Sequence, residues 1–362
     1  MLVAACLCLL PFFTAAPSAL ASKDHDDDAA NTRLVIYDVY AHYAGGANGW
    51  LAPAKGFSWH DDHSKLINIV DNVSDMFIPK SGLDQVVPDD IEAAANVPVQ
   101  YSSTVNTRIA QVDIRNVPAL WSVPIQPTTY QYDFVAPDAV TFSVYFAVPQ
   151  GFALITDVDD TIRDADVLVP TKMAKKAMAS PVAIAGMPEV FAHFNQLFGG
   201  DLPVFYVSQS PSQLYPLRLR PWTASIFLPG EFATTNMTIK EWVGAMQDKT
   251  SVQTYKASVI QSIQNRFPYR QMVMLGDSGQ RDPETYGDMY RQFGASWVSC
   301  IYIRLVEGQD PTKEASLNTE ERFAIAFKDI PVNRVYLFRD ASELLSITKE
   351  QIQGGFCRPN TQ

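Results

Sequence analysis

Residues 152–161 read FALITDVDDT: an uncharged, largely apolar run followed by three carboxylates in four positions. An apolar run of this length, ending in an acidic turn, is the texture of a strand buried on both faces. It returns at residues 203–208 (PVFYVS), 225–228 (SIFL), 272–276 (MVMLG) and 298–304 (VSCIYIR). Between these runs lie stretches of helical periodicity. Residues 187–198 carry Pro188 at a first-turn position, put Val190, Phe191, Phe194, Leu197 and Phe198 on one face, and stop at Gly199-Gly200. Residues 256–267 put Val259, Ile260, Ile263 and Phe267 on one face. Buried strands alternating with amphipathic helices predict an α/β fold with a doubly wound parallel sheet, whose ligand sits at the carboxyl ends of the strands.

Upstream the texture is different. From 33 to 150, short alternating runs such as 34–40 (LVIYDVY), 108–114 (RIAQVDI) and 141–147 (TFSVYFA) are separated by Pro, Gly, Asn and Asp, which predicts a smaller, mostly-β N-terminal domain. Residues 75–95 add a helical excursion. His60 and His63 enclose Asp61 and Asp62, a stretch that reads as a solvated loop rather than a metal cluster. Residues 2–21 are uncharged, are interrupted at Pro11 and end in Ala19-Leu20-Ala21, the pattern of a secretory signal peptide; 22–32 is an acidic linker. The expected location is therefore secreted or in the secretory pathway, with a peripheral intracellular membrane as the alternative. Cleavage after residue 21 removes Cys6 and Cys8 and leaves Cys300 and Cys357, either paired or standing as a buried thiol and a tail thiol. Asn72 and Asn236 stand in glycosylation sequons.

With 28 Lys and Arg against 39 Asp and Glu, the chain carries a net charge of -11, which argues against a nucleic-acid partner. No transmembrane segment is expected, because the one long apolar run is broken.

The strand ends carry the chemistry. Asp157 and Asp159, two residues apart on an extended chain, project to one side, one fit to attack an electrophile and the other to handle a proton. An acidic turn that caps the next segment gives the same spacing. Ser208 and Ser210 end the second strand, where a hydroxyl either donates to a phosphoryl oxygen or caps the following helix. Lys256 begins a predicted helix, where an ammonium opposes the helix dipole. Asp277 and Asp282 follow the strand MVMLG. The clustered carboxylates would repel one another, and a hard cation with oxygen ligands relieves that.

Together DVDDT, YVSQSP, the lysine-led YKASVIQSI and LGDSGQRDPETY resemble, in order, the four motifs of the haloacid dehalogenase-type phosphotransferases. More closely, over residues 151–305, they resemble the catalytic domain of the fungal actin-patch phosphatidate phosphatase family. That resemblance implies a haloacid dehalogenase-type, Rossmann-like catalytic domain over 151–347 with a tail at 348–362. It implies a Mg²⁺-dependent hydrolysis of phosphatidic acid to diacylglycerol and phosphate, through an aspartyl-phosphate, in peripheral contact with a membrane surface. It makes Asp157 the nucleophile, Asp159 the acid and base, Ser208 a phosphoryl ligand backed by Ser210, and Lys256 the charge-neutralising group. Mg²⁺ is expected on Asp157, Asp159 (main-chain carbonyl), Asp277 and Asp282. Arg163, Arg218 and Arg220 lie near the first two motifs as candidate phosphate contacts, and Lys172, Lys175 and Lys176 share a helix face that reads as a solvated surface, with contact to an anionic substrate as the alternative. Two alternatives stand beside this reading: a Mg²⁺-dependent phosphatase of a soluble phosphomonoester, and a secreted non-catalytic binding protein.

Overall fold

The computed structural model describes residues 141–359 except 213, 236, 238–240, 243–244 and 246–248, together with 32–45, 49–54, 56–60, 91–92, 98–103, 110–113, 119–123 and 131–135. The signal-like segment, all of the acidic linker but its last residue, residues 61–63, most of the 75–95 stretch and both sequons lie outside the described residues.

Among the described residues, ten strands precede the α/β body: β1 (Thr32–Ile36), β2 (Val39–Gly45), β3 (Gly49–Ala54), β4 (Gly56–His60), β5 (Ile91–Glu92), β6 (Pro98–Ser103), β7 (Ala110–Asp113), β8 (Ala119–Val123), β9 (Gln131–Val135) and β10 (Thr141–Phe146). They pair as β1-β4-β5 and as β7-β6-β9-β10-β2-β3-β8. Ile91 and Glu92, placed by sequence in a helical excursion, are in strand β5.

The run 34–40 is not one strand, since it breaks at Tyr37 and Asp38. Both residues are held by the α/β body instead. The Tyr37 hydroxyl shares a 2.6 Å hydrogen bond with Thr234, and the Asp38 N–H donates to the Tyr215 hydroxyl at 3.0 Å. The Asp38 carboxylate takes Arg220 in a fork at 2.7 and 2.8 Å. Tyr37, Val39 and Ala41 join one of the two large cores of the α/β body, and Tyr40, Tyr145 and Ala147 join the other. These upstream segments are therefore part of its interior.

The body is a six-stranded sheet of β11 (Gly151–Thr156), β12 (Val204–Pro211), β13 (Glu231–Thr235), β14 (Arg270–Asp277), β15 (Val298–Arg304) and β16 (Val335–Phe338). The order is β13-β12-β11-β14-β15-β16, and every neighbouring pair is parallel. Successive residues alternate between two cores, as a period of two requires. Leu154, Val204, Tyr206, Val273, Leu275 and Tyr302 face one, while Ala153, Ile155, Phe205, Val207, Met274 and Ile301 face the other. The first face is covered by α1 (Pro170–Met178), α2 (Met187–Leu197) and α3 (Arg220–Ile226). The second is covered by α4 (Lys249–Arg266), α5 (Asp282–Phe293) and α7 (Glu320–Ala326), with α6 (Pro311–Leu317) between the last two in sequence. The chain leaves β11 to build β12 and β13 on one side, then returns to build β14, β15 and β16 on the other. The crossover point therefore lies between β11 and β14, where a doubly wound sheet opens its ligand crevice.

Three sequence expectations are corrected. Residues 225–228 are not a strand. α3 runs through Ile226, and Phe227 packs its ring edge on Phe191 and Trp222 at centroid distances of 4.9 and 5.1 Å. The apolar run there is a helix end closing over the core, and the edge strand is the more polar EFATT of β13. The helix carrying Lys256 starts at Lys249, so the lysine lies two turns inside it and does not oppose the dipole at a helix start. Residues 348–357 are not a free tail: α8 (Lys349–Gly354) buries Ile352, and Cys357 is fully buried and disulfide-bonded to Cys300 of β15. The bridge closes a loop of 57 residues. We expect Cys357→Ser to lower stability by about 2–4 kcal/mol, the usual yield of closing such a loop. Denaturant unfolding of variant and wild type measures it, and equal midpoints would contradict it.

Candidate active site

The crevice at the crossover point is lined by the ends of β11 and β14. Asp157 follows β11 directly, its N–H bonded to the Leu275 carbonyl at 2.9 Å, and Asp277 closes β14. Asp282 starts α5, five residues on. Its approach depends on Gly276, where a Cβ would fall 2.6 Å from the Asp282 Cβ and 2.7 Å from its Oδ2. The G-D dipeptide therefore leaves room for the second carboxylate. Gly276→Ala is expected to displace Asp282 and lower activity more than stability; an alanine variant of full activity would contradict this.

Asp157, Asp277 and Asp282 are all buried, and one oxygen of each lies within 4.8 Å of the others. Lys256 reaches into the group, donating to Asp157 Oδ1 at 2.7 Å and to Asp282 Oδ1 at 2.5 Å. The Thr161 hydroxyl lies between Asp277 Oδ2 at 3.2 Å and Asp157 Oδ2 at 3.4 Å. Burial pushes the Asp157 carboxyl up to about 7. Lys256 opposes that shift, and Asp282 and Asp159 add to it. Burial, with the charges of Asp282 and Asp157 and against that of Lys256, also holds Asp277 well above the usual carboxylate range. Burial alone would lower the Lys256 ammonium, yet Asp157, Asp282 and Asp277 outweigh it and raise its pKa.

When ionised, the three carboxylates against one ammonium leave two negative charges in a buried site. That is the charge of one divalent cation, and an all-oxygen donor set suits a hard one. The residues present therefore fit a metal cofactor. The sign of the pH dependence without metal follows. A carboxyl whose folded pKa is raised contributes stability below its unfolded pKa and loses it as pH rises to about 7. In chelator, Asp157→Asn should therefore gain melting temperature relative to wild type between pH 5 and pH 8. A constant difference would contradict the assignment.

The second carboxylate of motif one stands apart. Asp159 Oδ1 accepts both Nε (2.8 Å) and Nη2 of Arg163, and its Oδ2 accepts the hydroxyls of Ser210 at 2.8 Å and Ser208 at 3.4 Å. Its side chain is not in the three-carboxylate group. Asp160 builds the turn between them. It sits at φ 60°, a left-handed conformation that aspartate tolerates better than most residues. Its carboxylate takes the N–H groups of Ala165 (2.9 Å), Asp166 (3.0 Å) and Val167 (2.8 Å).

The structure thus brings together Asp157, Lys256, Asp277 and Asp282, and beside them Asp159, Ser208 and Ser210. Each of the three arginines already has a partner in this structure. Arg163 is committed to Asp159, with only Nη1 unpartnered. Arg218 donates to the Ala179 carbonyl at 2.9 Å, and its pKa is lowered by burial and by the charge of Arg163. Arg220 is held by Asp38. Lys176 is paired with Asp164 and Asp166, while Lys172 and Lys175 are exposed. Two contacts go beyond the sequence expectations: the Thr161 hydroxyl on Asp277 and Asp157, and Gln280, whose amide oxygen accepts Lys256 Nζ at 3.3 Å. Both stand inside the quoted motifs, Thr161 in DVDDT and Gln280 in LGDSGQRDPETY, but neither motif shows which group the side chain meets.

Residues 152–305 match the family described as phosphatidate phosphatase APP1, catalytic domain. The chain is 30% identical over 174 residues to the phosphatidate phosphatase APP1 of Saccharomyces cerevisiae, covering 46% of this chain and 28% of that protein. It is 24% identical over 164 residues to an uncharacterized protein of Schizosaccharomyces pombe, covering 42% of this chain and 25% of that one. The chain thus spans little more than a quarter of the curated relatives it matches. The matched stretch holds every residue of the carboxylate–lysine group, and over residues 152–305 the chain is similar to the phosphatidate phosphatase APP1 catalytic domain.

Proposed function

We propose that this chain is a Mg²⁺-dependent phosphatidate phosphatase that hydrolyses phosphatidic acid to diacylglycerol and phosphate through an aspartyl-phosphate. The observation that carries the reading is the buried group of Asp157, Asp277 and Asp282 around Lys256, two charges short of neutrality at the strand ends. Asp157 attacks phosphorus, and the bond to the glycerol oxygen breaks as Asp159 gives that oxygen a proton. Asp159 then takes a proton from water, which attacks the acyl phosphate, releases phosphate and restores Asp157. Ser208 and Ser210, turned onto Asp159 in this structure, donate to phosphoryl oxygens once substrate enters. Lys256 offsets negative charge on Asp157 and the phosphoryl group. Mg²⁺, held by Asp157, Asp277, Asp282 and the Asp159 carbonyl, supplies charge neutralisation at the phosphoryl oxygens when bound.

In the same reading the body from 151 onward is a haloacid dehalogenase-type domain that extends through Cys357, and 33–150 is a mostly-β N-terminal domain. The signal-like residues 1–21 and the Cys300–Cys357 bridge support passage through an oxidising compartment. No helix among the described residues is long and apolar enough to cross a membrane, so the lipid is met peripherally at a membrane surface.

Phosphate release from phosphatidate in mixed micelles and from a panel of soluble phosphomonoesters, each with Mg²⁺ and with chelator, tests this. Mg²⁺-dependent release from phosphatidate is expected. Release from soluble esters alone would overturn the lipid assignment, and no release from any substrate would favour a binding role.

A further inference from the structure

Arg322 lies on α7, beyond the residues that match the family, and its side chain is 12% exposed. All five of its N–H groups are placed. Nε and Nη2 fork onto Glu284 at 2.9 Å each, Nη1 donates to the carbonyls of Ser278 (2.6 Å) and Leu317 (2.9 Å), and Nη2 also donates to the Gln280 carbonyl at 2.5 Å. A guanidinium so engaged is a rigid template, and lysine cannot reproduce its fork.

Two of those acceptors belong to the loop 278–280, which joins Asp277 to Asp282. The peptide unit between Ser278 and Gly279 is planar, so its carbonyl and N–H point in opposite directions. Arg322 holds the carbonyl, and the N–H donates to Asp277 Oδ1 at 2.6 Å. The Gln280 N–H donates to the same oxygen at 3.2 Å, and its side-chain oxygen accepts Lys256 Nζ at 3.3 Å. One guanidinium therefore fixes the strip of backbone that aims Asp277 and the side chain that steadies Lys256.

We propose that Arg322 is a positioning residue for the cation site, setting divalent-metal affinity by holding the 278–280 loop against Asp277. This rests on the reading of Asp157, Asp277 and Asp282 as a Mg²⁺ site. It extends the catalytic unit past β15 to a helix outside the family match.

Arg291 supplies the control. It ties α5 to the other, C-terminal end of α7, donating to the carbonyls of Ala326 (2.9 Å) and Lys328 (3.1 Å) and pairing with Asp288, and none of these bonds reaches the loop. Mg²⁺ binding to the full chain, measured by titration calorimetry, is compared for wild type, Arg322→Met, Arg322→Lys and Arg291→Met, with melting temperatures alongside. Arg322→Met is expected to bind Mg²⁺ about 10–100-fold more weakly, the usual cost of losing a group that orients a metal ligand. Arg322→Lys should fall at the lower end of that range, and Arg291→Met should keep wild-type affinity even where it melts earlier.

Wild-type affinity in Arg322→Met would overturn the proposal. So would an equal loss in Arg291→Met, which would make the effect one of helix packing. Should Arg322→Met fail to fold, Arg322→Lys decides: unchanged affinity overturns the proposal and weakened affinity supports it. A wild type that binds no Mg²⁺ sinks the metal reading and the proposal with it, and that failure is told apart because it needs no variant.

Discussion

Asp157→Asn should abolish phosphate release, by about 10⁴-fold or more, without unfolding the protein. The amide keeps the shape of the side chain but is no nucleophile. It also removes one negative charge from a buried group of three, so the metal-free variant should melt no earlier than wild type at neutral pH. In Mg²⁺ the order reverses, since the variant offers the cation one charged ligand fewer and gains less from it. Phosphate assays and paired melts with Mg²⁺ and chelator check both halves. Substantial residual turnover would move the nucleophile elsewhere.

Lys256→Met should be the more destabilising change. The ammonium is the only side-chain cation bonded to Asp157 and Asp282 among the described residues, and its side chain is 1% exposed. Removing it leaves buried carboxylates without a counter-ion, which costs about 3–5 kcal/mol in comparable sites. Because those carboxylates relieve the loss by binding protons, the penalty should shrink as pH falls below neutrality. Turnover should fall by about 10²–10³-fold even in saturating Mg²⁺, as when one electrostatic stabiliser is lost from a preorganised site. Denaturant melts from pH 5 to pH 8 measure the first effect and kcat the second. A variant of wild-type stability at pH 8 would show that the lysine is not the counter-ion.

Most of the sheet was legible because it is buried on both faces. β11, β12, β14 and β15 are apolar runs of the kind an interior strand produces, and their ends lie within a few residues of those the sequence predicts. The edge strands were not. EFATT carries a charge and two threonines, and VYLF is four residues long, so neither stands out from a loop. The apolar SIFL was taken for a strand because hydrophobicity alone does not distinguish a strand from a helix end that folds over the core. Asp157, Asp159, Ser208, Lys256, Asp277 and Asp282 were visible as chemistry at strand ends. Arg163 was visible as a charge, but its partner, four residues away across a tight turn, was not. Arg322 left no sign, because its work is done on main-chain carbonyls 42 and 44 positions away.

The central claim is that the buried carboxylate–lysine group performs phosphoryl transfer with Asp157 as the nucleophile. Rapid acid quenching during turnover of ³²P-labelled phosphatidate with Mg²⁺, followed by peptide mapping, tests it most directly. Label bound covalently to the peptide that contains Asp157, and absent in Asp157→Asn, is the predicted result. Undiminished turnover with no label on that peptide at any quench time would contradict it.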